Sequence, residues 1–203
     1  MKRSILALAG AVVLAASAAP AFAATSLNVP VIASAPSLDP HASNAFANAG
    51  TAKLSYTATG AAADEPATVH VVTDKTALYV RFDVPQREQL IGFAGGDSVA
   101  VDLWPNGASG DRYHLGVGLD GKPTSDSTPN TAGWDVAEAS YSGGYTVTMK
   151  IPMSAVGSDN SHVQFSRWIS STGEEQLWSH EGSSNDEVAQ AGTLTFASSL
   201  GKN

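Results

Sequence analysis

The sequence predicts an all-β protein, an antiparallel β-sandwich of the immunoglobulin or jelly-roll kind. Three observations carry that prediction. Gly143 to Val156 reads GGYTVTMKIPMSAV, where Tyr145, Val147, Met149 and Ile151 alternate with Thr146, Thr148 and Lys150. A period of two puts the four apolar side chains on one face of a strand. Asp97 to Trp104 repeats the pattern, with Val99, Val101 and Leu103 on one side and Ala100, Asp102 and Trp104 on the other. Short apolar runs then recur between Gly, Pro and Asn turn signals, the spacing expected of a sandwich.

The N-terminus precedes all of this. Met1-Lys2-Arg3, an apolar run from Ile5 to Ala16 and Pro20-Ala21-Phe22-Ala23 have the order of a secretory signal peptide, residues 1–23. The run is shorter than the roughly 20 residues a spanning helix needs, and no cysteine follows it to carry a lipid. The chain is therefore expected to be exported, periplasmic or extracellular, with residues 24–203 forming a single domain. The whole chain lacks cysteine, so stability must come from the core even where disulfides are permitted. Without Lys2 and Arg3, 9 basic residues face 19 acidic ones, a formal charge of -10. That balance disfavours nucleic acid and anionic membrane surfaces as partners, and no membrane insertion is expected.

From Ala24 to about Ala63 the chain is rich in Ala, Ser, Asn and Pro. Asn28 to Ile32 is a candidate edge strand, Ser43 to Lys53 a helical turn anchored by Phe46, and Lys53 to Thr59 a weak strand. Thr68 to Thr73 and Ala77 to Val84 form a hairpin through Asp74-Lys75-Thr76, with Leu78, Val80, Phe82 and Val84 pointing one way. Pro85 to Gly96 is a polar connection. Strands follow at Asp97–Trp104, Arg112–Leu119, Trp134–Tyr141, the Gly143 segment, Val163–Ile169, Gln176–His180 and Thr193–Ala197, separated by turns such as Pro105-Asn106-Gly107 and Asp120-Gly121.

The succession TALYVRFDV, DSVAVDLWPNG, YHLGVGLDG, WDVAEASYSGGYTVTMKIPMSAV, VQFSRWISSTGEEQLWS and AGTLTF resembles the family 9 carbohydrate-binding modules. It is also similar to the wider group of DOMON-like sandwich domains. The resemblance covers roughly Thr68 to Phe196, with SLDP around Asp39 a fainter match to the family's opening. It implies a sandwich whose relatives bind sugar ends or haem, or accompany larger envelope proteins. Two departures stand out. Sugar-binding members carry a glutamate where Ala100 stands, and a tryptophan just ahead of Asp97, where this chain has Phe93 and Gly95-Gly96. Trp178 occupies the place of the family's second stacking tryptophan.

Sugar rings offer apolar C–H faces and a rim of hydroxyls, so a site for them needs exposed aromatic faces edged by carboxylate, amide or guanidinium groups. The candidates are Trp178, Trp104, Asp102, Arg167, Phe93 and Glu175, with Trp134 and Trp168 behind them. Arg167 is read as out of phase with Phe165. Asp120, Asp126 and Asp135 flank a loop that suits Ca²⁺, as do Asp186 and Glu187, although no EF-hand spacing is present. The histidines are dispersed, with no zinc pattern. For haem, Met149 and Met153 with His70, His114 or His180 are the available ligands. We expect none to be used, because Met149 sits mid-stripe where methionine fills a core. No catalytic motif is present, and Glu174 and Glu175 point to opposite faces as strand neighbours. The sequence expectation is a non-catalytic carbohydrate-binding protein. The alternatives are an envelope adaptor with a protein partner and a DOMON-type haem b domain for electron transfer.

Overall fold

The computed structural model describes residues 25–85, 96–107, 111–124, 127–128, 133–141, 143–157, 161–179 and 191–197. The signal-peptide segment, Phe93, Asp126, His180, Asp186 and Glu187 lie outside the described residues. Two sheets face one another. The first holds β1 (Ser26–Val29), β3 (Tyr56–Thr57), β6 (Ser98–Trp104), β7 (Tyr113–Gly118), β10 (His162–Ile169), β11 (Glu174–Leu177) and β12 (Gly192–Phe196). The second runs β2 (Gly50–Lys53), β4 (Thr68–Thr73), β5 (Ala77–Pro85), β9 (Gly144–Pro152) and β8 (Asp135–Tyr141). Among the described residues no helix is long and apolar enough to cross a membrane.

The alternating segments form the strands expected of them. In β9 the residues Tyr145, Val147, Met149 and Ile151 face inward and are fully or almost fully buried. They register with Val84, Phe82, Val80 and Leu78 of β5. Val99, Val101 and Leu103 of β6 and Val163 and Phe165 of β10 come from the opposite sheet into the same core. Phe82 and Phe165 close the gap edge to face, with centroids 6.2 Å apart and planes at 80°, a favoured aromatic geometry. Each such side chain contributes roughly 1.5–3 kcal/mol on burial, and no disulfide is present to assist. After Pro152 the chain makes one helical turn, α1 (Met153–Val156), whose Ala155 and Val156 are buried.

The Asp74-Lys75-Thr76 turn is held by one carboxylate. Asp74 Oδ1 accepts from the Thr76 N–H and hydroxyl and from the Ala77 N–H, at 2.8–2.9 Å, while Oδ2 accepts from Tyr79 Oη at 2.9 Å. Those bonds let Lys75 adopt φ 73°. Phe46, at the end of a 3-10 turn, packs with Val72, Ala77 and Tyr79 on the outer surface of the second sheet.

Three segments differ from the sequence expectation. Lys53–Thr59 is not one strand. β2 ends at Lys53 in the second sheet and β3 lies in the first, with the buried Leu54 at the crossing. The first strand starts two residues earlier than expected and pairs in parallel with β12, Ser26 against Thr193 through Val29 against Phe196. Among the described residues the strand pairs are otherwise antiparallel, and an isolated parallel bridge joins Val31 to Thr73. β10 shares one edge between two strands, β12 at His162 and Val163 and β11 at Ser166 to Ile169.

Candidate functional site

The outer surface of the first sheet differs from an ordinary solvated face. Ala100, Asp102 and Trp104 of β6 point outward, as alternation requires, yet all three are buried. Their register partners His114, Gln164 and Ser166 are buried too. The polar groups in this layer are tied to one another. His114 Nδ1 lies 2.7 Å from Asp102 Oδ1, and Arg112 Nε lies 3.6 Å from the same oxygen. Gln164 donates to the Ser179 carbonyl at 2.9 Å and accepts from the Ser179 N–H at 3.0 Å. That amide replaces the ladder bonds lost where the chain leaves β11, as buried backbone groups require.

The free edge of β7 is closed by the following loop. The Thr124 N–H donates to the Gly116 carbonyl, and the Thr128 N–H to the His114 carbonyl. Ser127 Oγ donates to the Gly116 carbonyl at 2.8 Å and accepts from the Gly116 N–H at 3.1 Å. Gly116 is required here, since a Cβ would overlap the Thr124 hydroxyl. This loop guards a sheet edge.

One row of this surface reaches solvent. Gly118, Ser98, Trp168 and Glu175 are successive register partners across β7, β6, β10 and β11. Trp168 is 44% exposed, and Ser98, Gly118 and Glu175 are partly so. The adjoining row, Gly116, Ala100, Ser166 and Leu177, is buried. A large exposed ring thus stands between a carboxylate on one side and a hydroxyl on the other. That is the combination a sugar ring needs.

The sequence candidates are distributed differently. Trp178 is 7% exposed and points into the core, 5.3 Å from Phe165 between ring centroids. It fills the split between β11 and β12, over Gly192, where a Cβ would overlap its ring. Trp104, 4% exposed, lies on the outer layer but is covered. Neither ring presents a free face, so the exposed-aromatic expectation fails for both. Arg167 is in phase with Phe165, not out of it, because both are odd positions of β10. It is 4% exposed and faces inward opposite Val99 and Gln176. Its Nη1 donates to the Glu65 carbonyl and to Gln176 Oε1, each at 3.4 Å, while Nε has no partner. Asp102 is buried in the outer-layer network, and Glu175 lies beside Trp168. Trp134 packs, partly buried, against the core.

Asp120 accepts from the Lys122 N–H at 3.1 Å and pairs with Lys122 Nζ at 3.2 Å, contacts that lower its carboxyl pKa. Asp135 sits exposed at the start of β8 and accepts from the Val136 N–H. Among the described residues no three His, Cys, Asp or Glu side chains gather as a metal site. Met149 lies in the closed core, in register with Val80 and Val136.

Two facing sheets define the molecule as a β-sandwich. Comparison with solved structures narrows the fold to that of the family 9 carbohydrate-binding modules. A family 9 module from Caldicellulosiruptor kristjanssonii in complex with cellotriose matches with a TM-score of 0.62 at 17% identity, over 88% of this chain and 98% of that one. The glucose complex of a family 9 module from the same organism gives 0.63 at 18% identity, over 87% and 99%. A candidate carbohydrate-binding protein from Bacteroides uniformis ATCC 8492 gives 0.56 at 15%, over 86% and 100%. No family model matches the chain, and no curated protein matches it in sequence.

Proposed function

We propose that this chain is an exported, non-catalytic carbohydrate-binding protein that holds a sugar ring against Trp168. The observation that carries the reading is the solvent-reaching row Gly118, Ser98, Trp168 and Glu175. The apolar face of a pyranose stacks on the indole, Glu175 accepts from ring hydroxyls, and Ser98 gives or accepts one more bond. Ala100 stands where similar sugar-binding members carry a glutamate, which removes one charged acceptor, and it is itself buried. The fold supports the reading, since structures sharing it include modules solved with cellotriose and glucose. The signal-peptide pattern at residues 1–23 supports export. A glycan array probed with the folded chain tests the class. Binding to one or more glycans is expected, and a folded protein that binds none refutes it.

A second reading is favoured by a specific observation. Trp104 and Trp178, the two rings first in line for stacking, are both buried. An envelope adaptor that meets a protein partner needs neither. Crosslinking on intact cells distinguishes it, because an adaptor yields one dominant protein adduct that free sugars do not displace.

A further inference from the structure

The outer surface of the second sheet carries an aromatic face of its own. Tyr141, the last residue of β8, is 51% exposed; with Trp168, it is one of the two large exposed hydrophobic side chains among the described residues. The two rings stand on opposite sheets. Tyr141 registers with Gly144 of β9, and a Cβ on Gly144 would come 2.9 Å from the Tyr141 hydroxyl and 3.1 Å from the adjoining ring carbon. The ring therefore lies over a residue with no side chain. One of its sides rests on the sheet, and the observed half exposure belongs to the other.

Beside the ring, Ala139, Thr146 and Asp83 form the next outward row, followed by Ala137, Thr148, Arg81 and His70. Ala137 and Ala139 are partly exposed, Thr146 and Thr148 are buried, and the far side is charged. Asp83 accepts from Arg81 Nε at 2.9 Å and from Thr146 Oγ1 at 3.0 Å, and its other oxygen lies 3.3 Å from His70 Nε2. These bonds hold the carboxylate in one orientation while about a third of it remains exposed. The hydroxyl of Thr148, buried in its row, has no hydrogen-bond partner. Burial and the nearby Asp83 charge push the Tyr141 hydroxyl above its ordinary pKa, consistent with the ring leaning toward this group. The 30–49 segment covers only the other end of the sheet, through Phe46, Ile32, Leu38 and Ala49 packed on Val72 and Tyr79.

We infer that the outer face of the second sheet is a further saccharide-binding surface, with Tyr141 as the stacking platform and Asp83, Arg81 and His70 as the hydroxyl-reading rim. A pyranose within a glycan chain would lie over the partly exposed Ala139 with one face on the ring. The inference stands on geometry separate from the Trp168 row but shares the sugar-binding reading. Two such faces on opposite sheets allow one domain to bridge two chains of a polysaccharide.

An NMR titration of the labelled full chain with cellohexaose and with xylohexaose tests both surfaces at once. The Tyr141 ring and Arg81 Nε–H signals report the second sheet, and the Trp168 indole N–H reports the first. The expected result is that the Tyr141 and Arg81 signals follow a saturable isotherm that persists in Trp168→Ala. The affinity of that isotherm should fall about tenfold or more in Tyr141→Ala and in Ala139→Arg, the latter keeping the ring and blocking the surface beside it. If only the Trp168 signal moves, the second surface is refuted and the first stands. If neither set moves at millimolar sugar, both readings fail.

Discussion

The Asp102 carboxylate meets the His114 ring at 2.7 Å on the outer layer of the first sheet, where Asp102 has no solvent exposure. Arg112 approaches the same oxygen. Removing one member of a buried ionic group strands the others, at a cost of about 3–5 kcal/mol. Asp102→Ala is therefore expected to lower stability by that order in urea unfolding. A loss below about 1 kcal/mol would show that the group contributes little to the outer layer.

Acid sensitivity should involve Asp83 together with the more exposed Asp74, where partial burial raises the carboxyl pKa but the turn bonds outweigh this and also hold it at about 2. Burial pushes the Asp83 carboxyl pKa up, but bonds from His70, Arg81 and Thr146 outweigh this and hold it at about 2. A carboxyl that titrates near 3.9 when unfolded and lower when folded stabilises the fold above pH 4. That contribution is lost as the pH falls toward 2. Urea midpoints measured from pH 5 to 2 should fall steeply in the wild type and less steeply in Asp83→Asn. Identical slopes would contradict the assignment.

Trp178 and Trp168 should separate cleanly. Deleting the core ring in Trp178→Ala is expected to cost about 3–5 kcal/mol, and Gly192→Val, which drives a side chain into that ring, about 1–3 kcal/mol. Trp168→Ala should stay within about 0.5 kcal/mol, as surface changes do. Thermal melts of the three variants check this. Equal losses at Trp168 and Trp178 would show that the exposed ring is structural.

Arg167 makes two long bonds to neutral acceptors from inside the core, with Nε unpartnered. A buried charge with no carboxylate partner among the described residues gains little over an apolar residue of similar volume. Arg167→Met is expected to be neutral or stabilising by about 1–2 kcal/mol on that principle. A large loss would mean that the hold on the Glu65 carbonyl outweighs the desolvation of the guanidinium.

Alternation made the long strands legible. In β5, β6 and β9 every second residue is apolar and enters the core as parity predicts, although many residues of the other parity are buried as well. The crossing at Leu54 and the parallel pairing of β1 were not legible, because Gly50–Lys53 and Tyr56–Thr57 are too short to show a face, and the Leu27 and Val29 alternation of β1 gives a face but no partner. The site was harder still. Parity correctly put Asp102 and Trp104 on the outer side, but local pattern says nothing about a face covered by other segments. Trp178 carried the family's signal yet fills a gap between β11 and β12, a split visible only in three dimensions. Trp168 was readable as outward from its even position beside Phe165 and Arg167. A correct phase for Arg167 would have picked it out.

Isothermal titration of cello- and xylo-oligosaccharides into the wild type and Trp168→Ala tests the central claim most directly. Signals from the second sheet are separated by repeating both titrations in the Tyr141→Ala background. In that background, saturable binding should weaken at least tenfold on loss of Trp168, with the melting temperature unchanged. Equal affinity with and without the Trp168 ring, or no binding to any oligosaccharide by the folded wild type, would contradict it.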